Sequence, residues 1–131
     1  MDSILNIQQV ANETGLSLHT LRYYERIGLL DPIARNESGH RRYRMENLEW
    51  IILLIRLRST DMPIAKMKEF ADLVRQGDST IAKRVDLLED HQRKLNKQME
   101  EIQATLLALD EKLNYYRSWE LEQQEQKTNN K

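Results

Sequence analysis

Residues 6–28 read NIQQVANETGLSLHTLRYYERIG, and this stretch decides the fold. Ile7, Val10 and Ala11 follow Asn6 at helical spacing, and Gly15 stops that short helix. Ser17 then serves as an N-cap for a second helix, from Leu18 to about Ile27, which Gly28 ends. Working outward, Leu30 to Arg44 reads as a hairpin or wing, with Asn36-Glu37-Ser38-Gly39 as its turn. A third helix is predicted from Glu46 to Ser59, with Leu48, Ile51, Ile52, Leu54 and Ile55 turned inward. Asp61-Met62-Pro63 breaks it, and Pro63 suits the first turn of a fourth helix that Gly77 closes. Short helix, glycine turn, capped second helix and arginine-rich hairpin make a winged helix-turn-helix, whose second helix is sized for a major groove. Leu21, Ile27, Leu29, Leu30, Leu48 and Trp50 are the expected core.

Beyond Gly77 the pattern changes. Ile81, Val85, Leu88, Gln92, Leu95, Met99, Ile102, Leu106, Leu109, Leu113 and Tyr116 step alternately by four and three. That spacing is the seam of a coiled coil, predicted over 78–118 with Ser79 as its cap. At 1.5 Å per residue the seam is roughly 50 Å long, more than so small a lobe can cover. A second copy of the chain is the expected cover. Gln92 is the polar seam residue, of the kind that fixes register or strand number, or that reaches past the seam to solvent. The segment 119–131 is polar and expected to fray, with Trp119 either against the seam end or exposed.

Composition removes whole classes of function. With no cysteine among 131 residues, disulfides, thiolate metal sites, iron–sulfur clusters and a catalytic thiol are all excluded. His19, His40 and His91 are spread over different elements without ligand spacing, so no metal or other cofactor is expected. No glycine forms a phosphate-cradling loop, and no Ser or His stands at triad spacing, so an enzyme is not expected. The opening MDSILNIQQV lacks the basic and apolar regions of a secretory signal, and the apolar run Trp50–Ile55 is too short to span a bilayer. The expectation is a cytoplasmic protein without a membrane partner. Net charge is −1, yet residues 17–44 hold six arginines against three acids. Such a segment in a neutral chain points to a local anion-binding face.

Leu21-Arg22-Tyr23-Tyr24-Glu25-Arg26-Ile27-Gly28-Leu29-Leu30, followed by Ser38-Gly39-His40-Arg41-Arg42-Tyr43, resembles the MerR family of bacterial transcription regulators. The likeness runs through the third and fourth helices into the coiled-coil arm. It implies a mainly α protein with an N-terminal winged helix-turn-helix lobe (1–77, wing 30–44, second-wing helices 46–76). It also implies a homodimer joined by an antiparallel coiled coil, acting on promoter DNA that it bends and untwists so that RNA polymerase can engage both promoter elements. Carried over residue by residue, Ser17, His19, Thr20, Arg22 and Tyr23 fall on the recognition helix. Tyr24 divides between core packing and a backbone contact. Arg41, Arg42 and Tyr43 match the phosphate-clamping stretch of the wing, and Arg58, Ser59 and Lys66 flank the turn serving as a second wing. For Arg26, Arg35 and Arg44 a solvated surface charge is the alternative, and for Tyr43 a packing aromatic.

Two departures matter. His40 replaces the usual aromatic or apolar residue, and the cysteines of metal-, redox- and aldehyde-sensing relatives are missing. Those effectors are not inherited by resemblance. The chain ends soon after the seam, so the large drug-binding domain of some relatives is not expected. The competing readings are an excisionase-like architectural DNA protein, against which the long arm argues, and a coiled-coil adaptor, which leaves the arginine density unexplained.

Overall fold

The computed structural model describes residues 4–129. Its elements are β1 (Ile4–Leu5), α1 (Ile7–Thr14), α2 (Leu18–Arg26), β2 (Tyr43–Arg44), α3 (Met45–Ser59), α4 (Ile64–Arg75) and α5 (Ile81–Asn129). A single 3₁₀ turn, Asp78–Thr80, leads into α5. By its internal contacts the chain forms one unit up to Glu89 and a second from Asp90 onward.

In the first unit, local chemistry sets the helix ends. The Asn6 side chain accepts from Gln9 N at 2.8 Å and the Gln9 side chain accepts from Asn6 N at 2.8 Å, a reciprocal capping box. Gly15 closes α1 with φ +76°, a left-handed conformation that a side chain would strain. Ser17 Oγ caps α2 by accepting from Thr20 N at 3.0 Å. Between α3 and α4 Asp61 takes φ +69°, a region that Asp tolerates better than most residues.

The core joins Val10 and Ala11 of α1, Leu21 and Tyr24 of α2, Leu29, Leu30 and Ile33 of the following segment, and Tyr43. From α3 come Leu48, Ile51, Leu54 and Leu57; Met62 and Met67 complete it. Each fully buried Leu or Ile contributes about 1.5–3 kcal/mol by leaving water. The expected inward face of α3 needs correction. Ile52 is 38% exposed, because the stripe runs at steps of three through 48, 51, 54 and 57, and position 52 lies off it.

The hairpin or wing read over 30–44 is present, though short: Asn36 N donates to His40 O and Arg42 N to Ala34 O around the Asn36–Gly39 turn. Its ladder is reduced to one bridge, Arg35 to Arg41, above the Asn36–Gly39 turn. The strand that leaves the wing also pairs antiparallel with the chain start, Ile4 with Arg44 and Leu5 with Tyr43. Sequence reading missed β1 because two residues carry no periodicity. Arg75, at the end of α4, pairs with Asp31 at 2.5 Å and donates to Gly28 O, tying α4 to the segment after α2.

Ser79, the expected cap of α5, lies inside the 3₁₀ turn. Thr80 is the buried residue there, donating to Leu73 O at 2.5 Å, while Arg84 donates to Thr80 Oγ1 and Gly77 O. Helix α5 spans 49 residues. Among its described residues the polar segment expected to fray is helical to Asn129, since residues 119–129 contain no Gly or Pro and many strong helix formers. In the second unit Met99, Ile102, Leu106, Leu109, Leu113 and Tyr116 are exposed. Trp119 is exposed too, stacked on Tyr116 with ring centroids 6.4 Å apart.

Candidate nucleic-acid interface

The exposed surface of α2 begins at its cap. Ser17 Oγ and Thr20 Oγ1 lie 2.9 Å apart, so the two hydroxyls hold each other at the first turn. His19 and Arg22 are exposed beside them, and Thr20 and Tyr23 are half-buried. The Arg26 guanidinium sits 5.4 Å from the centroid of the Tyr23 ring, a cation–π contact that fixes the ring. Tyr24 points the other way into the core and is corrected from the surface set: one helical step turns it away from the face that carries Tyr23.

The wing is held by its own turn. Asn36 Oδ1 accepts from Ser38 N and His40 N, both at 3.0 Å, and Arg35 Nη1 donates to Gly39 O at 2.8 Å. Gly39 takes φ +83°, which the turn requires. On the returning side, Arg42 N donates to Ala34 O at 2.8 Å. Side chains then alternate. Arg42 and His40 are exposed, whereas Arg41 and Tyr43 turn toward the lobe.

Two residues of the expected phosphate clamp are therefore displaced from it. Tyr43 is fully buried, its hydroxyl has no hydrogen-bond partner among the described residues, and burial pushes that hydroxyl above the ordinary tyrosine value. Arg41 Nε meets Glu25 Oε1 at 3.0 Å, with only 17% and 19% of the two side chains exposed. Arg42 is the one of the three that projects outward.

A groove of about 640 Å³ opens beside these residues. The first turn of α1 (Asn6 to Gln9) forms one wall, and Arg22, Arg35, Arg41 and Arg42 line the rest, with Arg41 held by Glu25. A helix N-terminus beside the exposed Arg22, Arg35 and Arg42 on one concave surface suits an anion. Sequence reading placed Arg22, Arg41 and Arg42 here and left Arg35 open, but missed the α1 terminus, although Asn6-x-x-Gln9 is a capping-box signature. Glu25 was missed because its partner lies 16 residues away.

Arg58, Ser59 and Lys66 lie around the α3–α4 turn and are exposed. Arg58 also donates to Met62 O at 3.2 Å, bracing the turn, and Lys66 pairs with Glu69 at 3.2 Å. Among the described residues no three His, Cys, Asp or Glu side chains gather where a metal could bind, and no helix is long and apolar enough to cross a membrane.

Residues 5–73 match the family model described as MerR HTH family regulatory protein, and residues 48–112 match the one described as MerR, DNA binding. The HTH-type transcriptional regulator AdhR of Bacillus subtilis (strain 168) is 40% identical over 91 residues, which are 70% of this chain and 65% of AdhR. A solved MerR family regulator from Listeria monocytogenes has TM-score 0.85 at 36% identity, covering 93% of this chain and 92% of that one. HiNmlR, a MerR family regulator lacking the sensor domain and solved bound to promoter DNA, has TM-score 0.80 at 34% identity, covering 88% of this chain and 92% of its own.

Proposed function

The chain belongs to the MerR family of helix-turn-helix regulators, and from that premise we propose that it controls transcription by binding promoter DNA as a homodimer. The observation that carries this is the groove that brings the exposed Arg22 of α2 and the outward Arg42 of the wing to one surface. Helix α2 enters the major groove, with Ser17, His19, Thr20, Arg22 and Tyr23 nearest the duplex. Arg42 holds the flanking backbone, and Arg58, Ser59 and Lys66 reach it from the second turn.

Dimerisation rests on the exposed seam of α5, which needs an apolar cover that a second copy supplies. An antiparallel pairing sets the two lobes at opposite ends, on two half-sites of one operator. Contacts at both ends repay bending and untwisting of the duplex between them, which brings the promoter elements into reach of RNA polymerase. The place of action is the bacterial cytoplasm, where promoters are. The relatives are named transcriptional regulators, and no enzyme activity is assigned to this chain.

Fluorescence anisotropy of the purified chain tests this, with the duplex upstream of its own gene against a scrambled duplex over a salt series. Preference for the upstream duplex, one dimer per site and a steep salt slope are expected. Equal, weak binding to both places the operator elsewhere, and no binding at low salt overturns the reading.

A further inference from the structure

Within the DNA-binding reading, and resting on it, we propose that Glu25 is a positioning residue that grips Arg41, so that Arg41 tethers the wing to the recognition helix and leaves phosphate binding to Arg42.

Three observations converge. The Glu25–Arg41 pair spans two elements, the last turn of α2 and the returning side of the wing, at 3.0 Å. It is far less exposed than the lobe's other ion pairs: 17% and 19%, against 54% and 54% for Lys66–Glu69 and 35% and 69% for Arg75–Asp31. A pair so withdrawn from water is screened little and keeps its geometry, whereas exposed pairs contribute little. Alternation along the wing then fixes the rest. Tyr43 is locked in the core, Arg41 shares its side of the strand, and Arg42 between them must point outward.

Electrostatics makes the role of Glu25 discriminating. A carboxylate on a recognition helix repels phosphates, so its removal alone strengthens DNA binding if it does nothing else. Gripping Arg41 reverses that sign. Without Glu25 the wing loses its cross-link to α2, and Arg42 loses its place relative to Arg22.

The test uses the full chain and the duplex upstream of its gene, titrated by anisotropy over a salt series, with thermal melts of each variant. Glu25→Gln is expected to weaken binding about tenfold, and Glu25→Gln with Arg41→Met to weaken it no more than either alone, because coupled residues are not additive. Arg41→Met is expected to keep the wild-type salt slope, while Arg42→Ala lowers the slope by about 0.9, the loss of one phosphate contact. The exchanged pair, Glu25→Arg with Arg41→Glu, is expected to recover affinity relative to either single change. Tighter binding by Glu25→Gln, a slope lowered by Arg41→Met, or an exchanged pair that binds worst would each overturn the proposal while the DNA-binding reading stands. If Arg41→Met does not fold, Glu25→Gln and the exchanged pair still decide. A wild-type chain that binds no duplex removes the DNA-binding reading, and this proposal with it.

Discussion

The indole of Trp50 donates from Nε1 to the carbonyl oxygen of Leu29 at 2.8 Å. The same ring stacks on Phe70, with centroids 5.5 Å apart and 14° between planes. One side chain thus ties α3 to the segment that follows α2 while packing against α4, and the end of α2 is held by it. Trp50→Phe keeps the aromatic contact but leaves the Leu29 carbonyl unpaired. A loss of about 1–3 kcal/mol in stability is expected, measured by urea unfolding. A variant as stable as wild type would show that water satisfies that carbonyl equally well.

Substituting the exposed Arg22 distinguishes base reading from backbone holding in the proposed DNA complex. If it reaches a base edge, Arg22→Ala should reduce discrimination between operator and scrambled duplex by about 1–3 kcal/mol. Titrating both duplexes at one salt concentration measures this. An equal loss on both would assign Arg22 to phosphate alone.

The buried hydroxyl of Tyr43 has a pH signature. Its ionisation is displaced upward from 10.0 by burial, so the folded chain holds that proton more tightly than the unfolded chain. Stability is therefore full below pH 10 and declines as pH rises from there toward the raised value. Tyr43→Phe removes this titration along with an unpartnered buried hydroxyl. The expected variant is as stable as wild type or up to about 1 kcal/mol more so at neutral pH, loses less stability above pH 10, and keeps its salt slope on DNA. Melts at a ladder of pH values check the first two. A lowered slope would restore Tyr43 to the phosphate contacts.

The proposed dimer rests on the seam of α5. Leu106 is exposed in the single chain, and truncation to Ala should weaken a dimer by about 1.5–3 kcal/mol per buried leucine, doubled by symmetry. Sedimentation equilibrium reads this directly. Gln92→Leu should act in the opposite direction, raising the melting temperature of the dimer while loosening its register. A melting temperature that falls would make Gln92 a stabilising contact.

Much of this molecule was legible in one dimension. Caps, breaks and stripes are local: Gly15, Ser17, Gly28 and Pro63 mark helix ends within a few residues of where the helices stop or start. The step of four and three from Ile81 to Tyr116 repeats often enough to state a coiled coil without any tertiary information. The arginine density of residues 17–44 is equally local, and in the fold Arg22, Arg35, Arg41 and Arg42 of that segment line one groove. What the sequence left open are the pairings between distant positions. Leu5 meets Tyr43 across a strand pair too short to have a period, and Glu25 finds Arg41 only after the wing has folded back on α2. Those contacts, and with them which of Arg41, Arg42 and Tyr43 faces outward, depend on chain closure and the alternation of one short extended segment against the core. Local pattern names the candidates, but only packing in three dimensions decides which of them water, or a phosphate, can reach.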